Sequence, residues 1–157
     1  MAVETKERSV AEATTEELSP LAARLEEQFD GAVVADSPEG IVVAADHLVK
    51  VATYLRETAD LSYNHLANLT SVDYPDYFEV VYCLSSTQHG GDPAILKVRA
   101  DKADPVVPSL TPTWPGADLQ EREVWDLMGI RFEGHPNHKR LLMWEGFEGH
   151  PLRKDFL

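Results

Sequence analysis

Cysteine is almost absent from this chain of 157 residues: Cys83 stands alone, so the chain can form no internal disulfide and cannot hold an iron–sulfur cluster with its own thiolates. Flanked by Tyr82 and Leu84, that thiol reads as a buried small hydrophobe rather than a reactive group. Basic residues are also scarce, 14 against 27 acidic ones, and the net charge of -13 repels a nucleic-acid backbone or an anionic lipid surface. No run of about 18 apolar residues occurs, which excludes a membrane-spanning helix and predicts no direct membrane insertion. The first 18 residues alternate Glu, Lys, Ala and Thr without the apolar centre of a secretory signal, so 1–18 reads as a disordered or frayed lead-in to a soluble, intracellular protein. There is no Gly-rich phosphate loop, dinucleotide fingerprint or nucleophile elbow; Gly90-Gly91 is a turn, and the glycosylation match Asn68-Leu69-Thr70 reads as chance.

What is present fits one domain, since a chain of this length buries roughly 70% of the surface its unfolded form exposes. Ser19 and Pro20 supply a helix start, and Leu21, Leu25 and Phe29 give it an apolar stripe that ends at Gly31. After the turn Ser37-Pro38-Glu39-Gly40, the β-branched run from Ile41 to Ala45 predicts a strand, and Asp46 is placed to cap a second helix carrying Leu48, Ala52, Leu55 and Ala59. Residues 66–74 are strand-like. Phe78, Val80, Tyr82 and Leu84 alternate with Glu79, Val81, Cys83 and Ser85, and Ala94, Leu96, Val98 and Ala100 alternate with Ile95, Lys97, Arg99 and Asp101. That pattern predicts an antiparallel hairpin with one face on the core and the other partly wet.

Between 104 and 117, Pro105, Pro108, Pro112 and Pro115 impose an extended path without a regular ladder. Asp118 and Glu121 then resemble a capping box for a helix over 118–128 that carries Leu119, Val124, Trp125, Leu127 and Met128 and stops at Gly129. Ile130 to Phe132 is at most a short strand. The expected fold is an α+β, two-layer domain over 19–132, a mixed sheet covered by helices on one face, with 133–157 as an extended C-terminal docking tail reaching away.

The tail repeats a tetrapeptide, Glu133-Gly134-His135-Pro136 and Glu148-Gly149-His150-Pro151. With His138 and Glu145 these residues include the ligand types of a zinc or iron site, so a metal-dependent hydrolase is one reading of the chain. The spacing argues against it, because Pro136 breaks the helix on which paired histidines share a face. Glu121 and Glu123, two apart on a helix, point to different sides and make a poor acid–base pair; capping and a surface ion pair explain them better. Trp125 reads as a core residue. The tail otherwise offers interaction chemistry, setting Arg122, Arg131, Lys139, Arg140, Arg153 and Lys154 among Trp144, Phe147 and Phe156.

Pro108-Ser109, Trp114, Ala117-Asp118, Glu121-Arg122-Glu123, Asp126-Leu127, Gly129-Ile130, Gly134-His135-Pro136, Lys139-Arg140, Leu142 and Pro151-Leu152-Arg153-Lys154-Asp155-Phe156 together resemble the signature of the C-type subunit of respiratory complex I, the J-type subunit of chloroplasts and cyanobacteria. The resemblance is specific over about 105–156 and rests on element order alone before that. It implies a non-catalytic subunit in the peripheral arm of a proton-translocating NADH-quinone oxidoreductase, on the cytoplasmic side of the bacterial membrane. The implied partners are the large quinone-site D-type subunit and its iron–sulfur B-type neighbour. Iron–sulfur clusters, FMN and quinone would lie on partner chains, with no cofactor in this one. The implied partner-binding set is Arg122, Gly134, His135, Pro136, Arg140, Pro151, Leu152, Arg153, Lys154, Asp155 and Phe156, whose basic members either pair with partner carboxylates or fix the tail's own turns. Related membrane-bound hydrogenases carry subunits of the same family, and a free-standing adaptor is a third possibility. Within the signature, the twin tetrapeptide reads as a coincidence of two turns.

Overall fold

A computed structural model describes residues 17–156; all but the last two positions of the expected lead-in lie outside the described residues. Helix α1 spans Pro20–Gln28, with the Ser19 hydroxyl accepting from the Ala22 amide and Pro20 in the first turn, where its missing N–H costs nothing. Strands β1 (Val33–Ser37) and β2 (Gly40–Val43) then form a hairpin. The second helix, α2 (Leu48–Glu57), is entered through a 3₁₀ turn at Ala45–His47, and no side chain caps it. Asp46 therefore does not have the capping role its position suggests: it lies within the 3₁₀ turn, and Ala59 falls beyond the helix end.

Strands β3 (His65–Asp73), β4 (Tyr77–Ser85) and β5 (Ala94–Asp101) complete a five-stranded sheet in the order β1-β2-β5-β4-β3. Only β2 and β5 run parallel, so the sheet is mixed; β4 and β5 pair antiparallel with Val80 opposite Val98 and Tyr82 opposite Leu96. Phe78, Val80, Tyr82, Leu84, Leu96 and Val98 share one apolar cluster with Leu25 of α1 and with Leu48, Val51 and Leu55 of α2. Val124 and Met128 of a third helix, α3 (Ala117–Met128), join that cluster, so all three helices pack on the same side of the sheet. Each large side chain so buried contributes about 1.5–3 kcal/mol.

The opposite face departs from the sequence reading at two positions. Cys83 is only half-buried, because period-two alternation places it opposite to Tyr82 and Leu84. Glu79, expected to be wet, is buried between Lys97 and Arg99, each 3.6 Å from its carboxylate.

The proline-rich segment also differs from expectation. Val106–Pro108 forms β6 and pairs in parallel with β7 (Arg131–Glu133), Val107 opposite Phe132. The ladder forms because Val106 and Val107 keep their amides between the flanking prolines, while the Pro105 carbonyl accepts from Arg131 and the Ser109 amide donates to Glu133. Helix α3 follows Gly116 at its N-cap position with no side-chain cap, and the expected Asp118–Glu121 capping box does not form. Leu119 points to solvent. Gly129 ends the helix in the left-handed conformation, φ +74°, as its position predicts. Beyond Glu133 there is no further helix or strand among the described residues, but the tail does not reach away: it folds back over α3.

Candidate docking interface

A helix leaves its last carbonyls without intrahelical partners. In α3 the tail supplies nearly all of them. The Asp126 carbonyl accepts from Arg140 Nη1 (3.1 Å) and binds His150 Nδ1 (3.0 Å), and the Leu127 carbonyl accepts from the Leu152 amide (2.9 Å). The Met128 carbonyl accepts from Arg153 Nε (2.5 Å) and that of Gly129 from Arg153 Nη2 (3.3 Å). Guanidinium groups at this end also complement the helix dipole.

Asp126 holds the other side of the contact. Its side chain is fully buried, and Oδ2 accepts from three successive amides, Leu141 (3.1 Å), Leu142 (2.6 Å) and Met143 (2.9 Å), while Oδ1 accepts from Arg140 Nη1 (2.8 Å). Burial alone would raise its pKa; the hydrogen bonds from Arg140 and from the amides of Met143, Leu142 and Leu141 outweigh it and hold the carboxyl below its ordinary range. Arg122 donates to the carbonyls of Lys139 and Arg140, and Arg140 Nη2 to that of Gly149. Further on, the Lys154 amide donates to buried Asp73, which also pairs with Lys102, and the Arg153 guanidinium lies 5.1 Å from the Phe78 ring centre. Arg122, Arg140 and Arg153 are thus engaged by the tail's own turns and the helix end.

The two Gly-His turns have a common construction. Gly134 and Gly149 both take positive φ, +85° and +87°, and each following histidine reaches a backbone carbonyl of α3: His135 Nε2 that of Asp118 (3.0 Å), His150 Nδ1 that of Asp126. The Asn137 amide donates to His135 Nδ1 (2.9 Å), which fixes the proton on Nε2. His138 Nε2 accepts from the Phe132 amide (3.0 Å), and burial together with the neighbouring His135 holds its pKa below the ordinary imidazole value. No group of three or more His, Cys, Asp or Glu side chains is arranged to hold a metal among the described residues. The imidazoles instead meet backbone groups, His135 through both ring nitrogens, His138 through Nε2 and His150 through Nδ1. Trp125, expected in the core, instead forms the tail's floor, 4.7 Å from His138 and 5.1 Å from His150 between ring centres.

Glu121 is the second fully buried carboxylate. It accepts from Ser109 Oγ (2.6 Å) and the Leu110 amide (2.7 Å), tying the proline-rich segment to α3. Desolvation raises its pKa, helped by Asp118, against the opposing effects of Ser109, Leu110 and His135.

The tail presents several large apolar side chains outward. Trp144 is 67% exposed, Leu152 61% and Leu142 58%, and Leu141 and Phe156 are exposed as well. Trp144 packs edge-on against Phe147, which stacks on Phe156 and receives the Arg140 guanidinium at 5.5 Å. Lys139, Lys154, Asp155 and Pro136 are exposed, and Pro151 is half-buried. Sequence reasoning missed Asp126, Asp73 and Glu121 as organisers of the site. For Asp126 a signal existed, a carboxylate between the core positions Val124 and Met128 that needs partners wherever it is buried.

Gly129 is where tail and helix meet most closely. A Cβ there would lie 2.5 Å from Arg153 Nη2 and from His150 Cδ2. Gly129→Ala is expected to cost about 1–2 kcal/mol for the left-handed backbone alone, and the added methyl would also push Arg153 and His150 off the helix end. Hydrogen exchange checks this: the Leu152 amide should lose protection while the sheet amides keep theirs.

Residues 41–157 match the model of a family described as the 30 kDa subunit of respiratory-chain NADH dehydrogenase. The C-type subunit of NADH-quinone oxidoreductase from Moorella thermoacetica is 50% identical over 118 residues, covering 74% of this chain and 78% of the relative. Its counterpart in Roseiflexus sp. strain RS-1 is 44% identical over 141 residues, covering 88% and 80%. Among solved structures, a component of the membrane-bound sulfane sulfur reductase, an archaeal respiratory membrane complex, superimposes with a TM-score of 0.68 at 26% identity, covering 87% of this chain and 83% of that one. A trypsin-resistant fragment of Nqo5 gives a TM-score of 0.53 at 31% identity, covering 62% and 80%.

Proposed function

The chain belongs to the family of the 30 kDa subunit of respiratory-chain NADH dehydrogenase, and from that membership we propose that it is a non-catalytic structural subunit in the peripheral arm of a proton-translocating NADH-quinone oxidoreductase. In this reading the tail face docks on the large quinone-site D-type subunit and borders the iron–sulfur B-type subunit, on the cytoplasmic side of the bacterial membrane. Iron–sulfur clusters, FMN and quinone then lie on partner chains, and this chain supports electron transfer by positioning them. No helix among the described residues is long and apolar enough to cross a membrane, which suits a peripheral place.

The observation that carries the proposal is the exposure of Leu142, Trp144 and Leu152 on a tail whose turns are hydrogen-bonded to α3. Exposed aromatic and aliphatic groups on a rigid base are the usual energetic centre of an interface, and an obligate one of this kind buries of the order of 2,000 Å² or more. The arginines act one step behind it. Arg153→Ala would weaken docking by loosening the tail, not by removing a partner's counter-ion.

The test is co-expression with the large D-type subunit followed by mild-detergent purification through a tag on this chain. Trp144→Asp is expected to reduce the recovered complex about tenfold or more, with the variant's own thermal melting unchanged. Full recovery of complex by Trp144→Asp and by Leu142→Asp would sink the docking reading. The fold likeness to the archaeal sulfane sulfur reductase component supports a second reading, membership of a related membrane-bound complex such as a hydrogenase with another electron partner. The co-purifying chains distinguish the two.

A further inference from the structure

One edge of β7 pairs with β6, and the turn that follows closes the other. The ladder uses the Arg131 amide, which donates to the Pro105 carbonyl, and the Glu133 carbonyl, which accepts from the Ser109 amide, so the amide and carbonyl of Phe132 face away from β6. The turn takes both. The Phe132 carbonyl accepts from the His135 amide (3.3 Å), and the Phe132 amide donates to His138 Nε2 (3.0 Å). Residues 135–138 thus stand where a neighbouring strand would, on an edge whose unpaired groups would otherwise be open to another chain.

One contact in this closure depends on charge. An imidazole accepts a hydrogen bond only while neutral, with its proton on the other nitrogen; as imidazolium it donates from both. A proton on His138 Nε2 would set two donors face to face with the Phe132 amide, and the contact must open. His138 is half-buried, within reach of water. Arg131 of β7 and His135 of the same turn are its basic neighbours, and Trp125 of α3 packs against its ring. The acidic groups nearby are Glu133, which lines the same cleft, and, from α3, Asp118 and Glu121, which lie 3.1 and 3.9 Å from Nε2 of His135.

We infer that His138 makes the outer edge of β7 an acid-sensitive catch: protonation of its imidazole releases the Phe132 amide and opens the 135–138 turn, while the Asp126 latch on the rest of the tail stays closed. The inference is independent of the docking reading. Burial first, then His135 and Arg131, hold the folded-state pKa of His138 below the ordinary imidazole value. The contribution of this contact to stability is therefore complete above the unfolded value of about 6.5 and is lost as pH falls through the lower folded value. The catch opens at milder acidity than the Asp126 latch, which holds to about pH 4.

The test is an NMR titration of the full chain from about pH 7.5 to 4.5, following the histidine ring nitrogens and the hydrogen-exchange protection of single amides. At neutral pH His138 should carry its proton on Nδ1. On acidification Phe132 should lose protection with the midpoint of His138, by up to about tenfold for each unit that this midpoint lies below 6.5, while Leu142 and Met143 stay protected. His138→Gln puts a carbonyl oxygen that does not titrate in place of Nε2, so Phe132 should keep its protection throughout. If the glutamine leaves Phe132 unprotected even at neutral pH, the parent's titration alone decides. Phe132 protection that stays level while His138 takes up its proton overturns the catch, and so does an acid loss that His138→Gln shares. A loss that follows His135, which the Asn137 amide reports separately, overturns the assignment to His138. Loss at Leu142 and Met143 together with Phe132 overturns the independence of catch and latch.

Discussion

Asp126→Ala is expected to destabilise the protein by about 3 kcal/mol or more and to release the tail from α3. The side chain is fully buried, and its removal leaves three consecutive amides and the Arg140 guanidinium without their acceptor. Breaking a buried charge pair from one side typically costs about 3–5 kcal/mol, because the remaining charge stays in place without compensation. Urea unfolding measures the loss, and hydrogen exchange locates it: the amides of Leu141, Leu142 and Met143 should exchange far faster than in the parent chain. Unchanged protection there would show that the tail is held by other means. The acid dependence has a definite sign. The folded-state pKa of Asp126 is depressed, so its contribution is complete above the unfolded carboxylate value of about 3.9 and fades as pH falls through the lower folded value. The latch therefore holds at neutral pH and opens only in strong acid, below about pH 4.

Glu121 is expected to behave in the opposite sense. Glu121→Ala should cost about 2–4 kcal/mol, since it strands the Leu110 amide in the core, frees Ser109 and leaves a cavity where a long side chain stood. Glu121→Gln preserves the shape and much of the hydrogen bonding. Because desolvation raises the folded-state pKa of this carboxyl, the folded protein binds its proton more tightly than the unfolded chain does. The associated stability is present below the unfolded value, about 4.3, and is lost as pH rises through the raised folded value. The glutamine variant has no such loss, so its stability should overtake the parent's as pH rises. Urea unfolding of both proteins from about pH 4 to 8 tests this; a glutamine variant that tracks the parent at every pH would show that Glu121 does not titrate as described.

Much of the fold was legible because it follows hydrophobic period. The alternation from Phe78 to Leu84 and from Ala94 to Ala100 yields the β4–β5 pair, and Gly129 ends α3 where the sequence places it. The site was less legible, for reasons that are physical. A capping box and a buried carboxylate look the same in sequence; Glu121 serves Ser109 and Leu110 because the proline-rich segment passes over the helix, which nothing within α3 specifies. Trp125 fits a core pattern, yet the surface it covers belongs to His138 and His150 of a tail that has no periodicity to read. The twin Gly-His motif, two unrelated turns in the sequence reading, instead places two imidazoles on carbonyls of the same helix.

Several of the tail's fastenings bind its main chain. Asp126 takes the amides of 141–143, Arg122 takes the carbonyls of 139 and 140, and Asp73 takes the amide of 154, none of which depends on the side chain that residue carries. Leu141, Leu142, Trp144 and Leu152 can therefore change identity without loosening the turns that display them. Such a division lets the outward side chains vary while the geometry that presents them stays under separate selection.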